Sequence, residues 1–130
     1  MRVDETELID WDMFCRARSE LGAGFARILS YFREDGEKAV ARIEAAMHRG
    51  DAAGLVLPAH TMKSEARQFG AETLGALAEE IEMRARQAVE MRTTPEDMLP
   101  SVARLGPLYR QTMDLLEAEA NPLRQRRAPA

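Results

Sequence analysis

Residues 60–71 read His-Thr-Met-Lys-Ser-Glu-Ala-Arg-Gln-Phe-Gly-Ala, and they separate polar from apolar side chains at helical spacing. In this stretch and just before it, apolar residues recur every three or four positions, which predicts one buried stripe along a helix. The stripe consists of Leu55, Ala59, Met62, Ala66 and Phe69, and the adjoining face carries His60, Lys63, Ser64 and Arg67. We therefore expect a helix that directs His60 toward solvent.

An exposed imidazole makes His60 a candidate nucleophile. At neutral pH such a ring is mostly uncharged, and one of its nitrogens keeps a free lone pair. Lys63 follows one helical turn later, where its ammonium can place positive charge beside an anion that the ring acquires. The pair therefore indicates chemistry on a phosphoryl group.

The segment from Ala59 to Ala71 resembles the histidine-containing phosphotransfer (HPt) domain of two-component phosphorelays. The usual pattern of that family is Ala-His-Thr-Leu-Lys-Gly-Ser-Ala, followed shortly by Leu-Gly-Ala. Identity holds at Ala59, His60, Thr61, Lys63, Ala66, Gly70 and Ala71. Two positions depart from the pattern: Ser64 replaces a glycine and Glu65 replaces a small residue. Ser64 narrows the approach of a partner loop, whereas Glu65 is expected to be solvated.

A second helix is predicted to return past the first one after Gly70, because apolar residues recur with helical spacing from Leu74 to Ala88. This antiparallel hairpin could bring Glu79 or Glu82 beside His60. In many HPt domains a Glu or Gln matching Glu82 hydrogen-bonds the imidazole, which implies that Glu82 fixes the tautomer and leaves Nε2 free to attack. The alternative is that Glu82 is one more acid on a solvated face.

The resemblance implies a phosphocarrier without a kinase or nucleotide-binding site of its own. His60 would accept a phosphoryl group from the aspartyl phosphate of a response-regulator receiver domain and pass it to another receiver. Partners would be receiver domains, hybrid histidine kinases, or both, and Mg²⁺ would come from the receiver rather than from this chain. A second hypothesis is a non-catalytic helical module, a degenerate HPt domain that binds receivers without transfer; Ser64 and Glu65 favour it.

A docking surface for the receiver is predicted from the N-terminal helix and the histidine face. The first helix carries more apolar residues than one core-facing stripe requires, so some of them are expected to be exposed. The predicted partner-binding residues are Trp11, Phe14, Ser64 and Arg67, with Met13 as a further candidate.

Composition excludes several other classes of protein. The chain has 130 residues, a net charge of -4 and mixed acidic and basic residues, which is not the clustered basic surface of a nucleic-acid binder. Its single cysteine, Cys15, precludes an internal disulfide, and two histidines among scattered acids give no metal-ligand spacing. No apolar run has the length of a signal sequence or membrane span. We expect a cytoplasmic monomer.

Helical periodicity extends along nearly the whole chain, which predicts an all-α fold. The first helix is expected over residues 5–19 and the second from Phe25 to about Arg33, where Asp35 and Gly36 break it. Another helix follows through Val40, Ile43 and Met47 to about residue 49. Asp51 then caps the His60 helix, which contains Pro58 and ends at Gly70.

A last helix is predicted after the loop at residues 93–97, with Thr94 as its N-cap and Pro95 at its first helical position, running to about Ala120. These helices fit an up-and-down antiparallel four-helix bundle, with the earlier helices covering one end or side. Residues 1–120 would form one HPt-like domain, and residues 121–130 a disordered basic tail.

Overall fold

The structure is a computed structural model that describes residues 8–121. In that range we number five α-helices: α1 (Trp11–Leu21), α2 (Phe25–His48), α3 (Ala52–Gln68), α4 (Glu72–Met91) and α5 (Leu99–Ala120). Two short 3-10 turns, Gly22–Gly24 and Glu96–Met98, precede α2 and α5, and no strand occurs between residues 8 and 121. The predicted all-α fold is confirmed.

Helices α2 to α5 form an antiparallel bundle in which each helix packs against two others. Helix α3 packs between α2 and α4, and α5 closes the ring against α4 and α2. The apolar stripe of α3 lies at the centre, where Leu55, Ala59, Met62, Ala66 and Phe69 are fully buried. An edge-to-face and stacked series of rings continues this core toward α1 and α5 through Trp11, Phe14, Phe25, Phe69, Phe32 and Tyr109.

The two ends of α3 are fixed by the residues that the sequence indicates. The Asp51 carboxylate accepts a hydrogen bond from the Gly54 amide at 3.0 Å, which satisfies one of the first free N–H groups of the helix. At the other end Gly70 adopts a φ of 79°, and its carbonyl accepts the Asp10 amide at 2.7 Å. A Cβ atom at Gly70 would lie 2.4 Å from the Asp10 carbonyl oxygen, so only glycine fits.

The prediction that Asp35 and Gly36 end a helix is wrong, because α2 runs unbroken from Phe25 to His48. Gly36 is buried against the ring of Tyr109 on α5: a Cβ there would lie 2.3 Å from a ring carbon. The Tyr109 hydroxyl donates to the Arg33 carbonyl at 2.7 Å across the same contact. This glycine is therefore a site of close helix packing, and tertiary contact outweighs its low helix propensity.

Two further boundaries differ from the prediction. Helix α1 begins at Trp11 with Asp10 as its N-cap and ends at Leu21. Leu8 is helical but Ile9 and Asp10 are not, so the prediction of one unbroken helix over residues 5–19 is wrong within the part of the chain that the structure describes. Thr94 does not cap α5, because the 3-10 turn at Glu96–Met98 comes between them and α5 begins only at Leu99. Residues 5–7 and 122–130, the latter including most of the predicted tail, lie outside the described residues. Within residues 8–121 no helix is both long and apolar enough to cross a bilayer.

Candidate functional site

His60 lies on the outer face of α3, with 49% of its side chain exposed. Its Nδ1 atom is 3.0 Å from Oε2 of Glu82 on α4. Because a carboxylate can only accept, this contact places the proton on Nδ1 of the neutral ring. Within residues 8–121 nothing hydrogen-bonds Nε2, so its lone pair is available to an incoming electrophile.

Glu82 is a buried carboxylate that three cationic or potentially cationic groups surround. Its side chain is only 6% exposed. The Lys63 ammonium lies 2.8 Å from Oε1, while Oε2 accepts from the Arg86 guanidinium at 2.9 and 3.0 Å in addition to His60. Burial alone would raise the pKa of this carboxyl, but the hydrogen bonds from Lys63, Arg86 and His60 outweigh burial and lower the pKa to about 2. Glu82 is therefore ionised at neutral pH.

Lys63 is nearer to the partner helix than its predicted solvent-facing position suggests. Its side chain is 21% exposed, and its charge faces Glu82 rather than open solvent. The ammonium and the imidazole thus share one carboxylate, Lys63 on Oε1 and His60 on Oε2. The structure brings together the three predicted catalytic residues, His60, Lys63 and Glu82; their roles in transfer stay predictions.

Arg86 is a member of this cluster that the sequence prediction missed. It follows Glu82 by four residues, a spacing that places an acid and a base side by side on a helix. The spacing of Glu82 and Arg86 in the sequence indicates an ion pair, but many exposed helices carry such pairs. Only the position of His60 across the hairpin shows that this pair belongs to the site. The side chain is 58% exposed, so its guanidinium borders solvent beside the imidazole.

The other polar residues on the histidine helix make contacts within the protein. The Ser64 hydroxyl donates to the His60 carbonyl at 3.2 Å, so it is turned back along its own helix, although the residue is exposed. Arg67 donates to both carboxylate oxygens of Glu79, at 3.2 and 3.4 Å, and thereby joins α3 to α4. Glu79, the alternative neighbour considered for His60, is therefore engaged by Arg67. Contact of Ser64 and Arg67 with a partner stays a prediction.

The predicted docking surface on α1 is only partly present. Phe14 is fully buried between the rings of Trp11 and Phe25, so the prediction that it lies on an exposed patch is wrong. An amphipathic helix directs its largest side chains to the core, and here the core extends beneath α1. Trp11 and Met13 are partly exposed and remain candidates for contact with a partner.

Glu65 also differs from its prediction as a solvated residue. It is half-buried on the α2 side of α3, and its Oε1 atom is removed from solvent. Burial, followed by the charge and hydrogen bond of Asp35 on α2, raises the pKa of Glu65 to about 7. No group of three potential ligands is arranged to hold a metal ion in the part of the chain that the structure describes.

Comparison with known proteins agrees with this geometry. The family model described as the Hpt domain matches residues 27–123, which is most of the chain. The fold is similar to the crystal structure of histidine-containing phosphotransfer protein B (HptB) from Pseudomonas aeruginosa PAO1, with a TM-score of 0.79 and 20% sequence identity. That match covers 90% of this chain and 97% of that one. No curated protein sequence matches significantly. From the match to the family model, we conclude that the chain belongs to the Hpt domain family.

Proposed function

We propose that His60 accepts a phosphoryl group from the aspartyl phosphate of a response-regulator receiver domain and passes it to another receiver. Receiver domains of hybrid histidine kinases are partners of the same chemistry. The observation that carries this proposal is the orientation of one ring: Nδ1 of His60 is held 3.0 Å from a buried, ionised carboxylate while Nε2 is free at the surface.

The chemical step requires a nucleophile, a leaving group and neutralisation of charge. The Nε2 lone pair attacks phosphorus, the bond from phosphorus to the aspartyl oxygen breaks, and the aspartate leaves as a carboxylate. His60 keeps its Nδ1 proton, and the positive charge that the ring gains on phosphorylation lies against Glu82 at 3.0 Å. In-line positioning and charge neutralisation are the main sources of catalysis in such a transfer. Mg²⁺ and the acidic pocket belong to the receiver in this proposal.

Lys63 and Arg86 supply positive charge from this side of the complex. Both are already bound to Glu82, so the entropy of ordering their long side chains is lost before the partner arrives. A phosphoryl group on Nε2 adds negative charge within reach of this cluster, and either cation can interact with it while Glu82 retains the other. We therefore expect Lys63→Ala to slow transfer rather than abolish it.

Transfer from a phosphorylated receiver tests the proposal directly. The chain is incubated with receivers carrying radiolabelled aspartyl phosphate, and the label on it is tested for the acid lability and alkali stability of phosphohistidine. His60→Gln should eliminate the label, whereas His48→Gln, at the exposed end of α2, should leave it unchanged. Receivers that bind without labelling His60 would contradict transfer and support the non-catalytic module instead.

A further inference from the structure

A groove between α2 and α3 begins beside the histidine and has a volume of about 680 Å³. Thr61, the residue after His60, lines its near end, and Leu57 lines it one helical turn before the histidine. Leu57 is 70% exposed, the largest fraction of any large hydrophobic residue between residues 8 and 121. Leu57 therefore offers apolar surface to a partner within one helical turn of the nucleophile.

The α2 wall of this groove is basic. Lys38 and Arg42 lie one turn apart on α2, both are exposed, and neither forms an ion pair with any residue in the described range. Arg49 continues the row but is bound to Asp51 at 3.2 Å. Asp35 is the one acidic residue in the lining, at the end nearer to Glu65. Two cations that form no ion pair in the described range therefore lie across the groove from an exposed leucine.

We propose that this groove, defined by Lys38, Arg42 and Leu57, is the docking surface for the acidic face of the receiver that exchanges a phosphoryl group with His60. The inference rests on the proposed function. A specific interface covers about 800 Å² on each partner, which extends well beyond one imidazole, so a receiver that reaches Nε2 must also cover neighbouring surface. On the α2 side of His60 that surface is the groove.

Charge complementarity favours a receiver as the occupant. The aspartyl phosphate and the carboxylates around it give the receiver a negative face, and the cations on α2 attract that face toward His60 from one side. Lys63 on α3 and Arg86 on α4 lie on the other side of the ring, where both contact Glu82. Attraction of this kind raises the association rate and fixes the orientation of the partner more than it raises affinity. Leu57 then supplies the apolar contact that a transient interface needs at its centre.

The test separates docking from chemistry by using two phosphoryl donors. The first is a receiver that phosphorylates the wild-type chain, and the second is phosphoramidate, a small donor that needs no docking surface. For Lys38→Glu/Arg42→Glu we expect kcat/KM with the receiver to fall about tenfold or more, mainly through KM, with labelling by phosphoramidate unchanged. Leu57→Asp should behave in the same way. The control is Arg104→Glu, an exposed cation on α5 outside the groove.

Several outcomes would overturn the docking proposal while leaving the proposed function intact. Wild-type kcat/KM in the Lys38→Glu/Arg42→Glu variant would do so, as would an equal loss of labelling with both donors. Sedimentation that shows a dimer dissociated by Leu57→Asp would assign the groove to a second copy of the chain.

If no receiver phosphorylates the wild type, the proposed function fails, and docking is then decided by calorimetric binding of a receiver carrying beryllofluoride. Binding weakened by the double substitution supports the groove, and unchanged binding refutes it.

Discussion

Replacing Glu82 by glutamine removes one negative charge from a side chain that is 6% exposed and holds three positive or protonatable groups. The amide keeps an oxygen that can accept from His60 Nδ1, so the change tests charge more than shape. Lys63, with its side chain 21% exposed, loses the one ion pair that it forms within the described range. A half-buried ammonium without a counter-ion destabilises the folded state.

The pKa of Glu82 sets the size of this effect. The pKa falls from 4.5 to about 2 on folding because the hydrogen bonds of Lys63, Arg86 and His60 outweigh the opposing effect of burial. That difference corresponds to ~3 kcal/mol, and screening at the exposed Arg86 and His60 reduces it to roughly 2 kcal/mol. Because folding lowers the pKa, the stabilisation is complete above pH 4.5 and is lost as the pH falls toward 2.

Urea unfolding followed by circular dichroism at several pH values measures the effect. At pH 7 we expect Glu82→Gln to lower the free energy of unfolding by about 2 kcal/mol, which corresponds to a Tm decrease of roughly 8 °C in a domain of this size. Toward pH 2 the difference from wild type should shrink. Glu90→Gln, an exposed acid on the same helix, is the control and should change little. If Glu82→Gln lowered the free energy of unfolding by the same amount at pH 7 and at pH 2.5, the charge of the carboxylate would not be the source of the effect.

Three other substitutions follow from particular contacts. Gly36→Ala should destabilise by about 1–3 kcal/mol in urea unfolding, because the clash with Tyr109 exceeds the gain in helix propensity; a stabilised variant would refute this. Burial raises the pKa of Glu65 to about 7 in the folded protein. Between pH 4.5 and 7 this carboxyl ionises in the unfolded chain but not in the folded one, so the free energy of unfolding of the wild type falls over that range. Glu65→Gln should therefore raise the free energy of unfolding at pH 8 and change it little at pH 4. A variant that is more stabilising at pH 4 than at pH 8 would contradict this prediction. Gly70→Ala should lower Tm more than Gly36→Ala, because its φ is positive and the clash is with Asp10 backbone.

The sequence predicts the all-helical bundle and the location of the histidine because both depend on local periodicity. The stripe from Leu55 to Phe69 determines which face of α3 is buried and therefore that His60 is exposed. The hairpin after Gly70 then limits the neighbours of His60 to a few acids on α4. The choice of Glu82 over Glu79 needed either the family resemblance or the structure, because periodicity alone places both near the same helix.

The features that the sequence did not reveal depend on contacts between distant segments. Gly36 has the local signature of a helix break, and only the ring of Tyr109, far along the chain, explains a glycine inside a continuous helix. Phe14 is buried because α1 lies over the aromatic core. The sequence predicts a solvated Glu65, whereas its burial depends on the packing of α2 against α3. Spacing within one helix carries none of this information.

The contact between Gly70 and Asp10 has a consequence for dissecting the protein. Gly70, the glycine of the motif, joins the segment preceding α1 to the carboxyl end of the histidine helix through its carbonyl and its close backbone packing. Deleting the chain up to Asp10 would therefore remove this hydrogen bond and packing contact as well as shorten the amino terminus. If such a truncation reduces phosphotransfer, the first explanation to test is a lower stability of the bundle, and loss of a recognition element comes second.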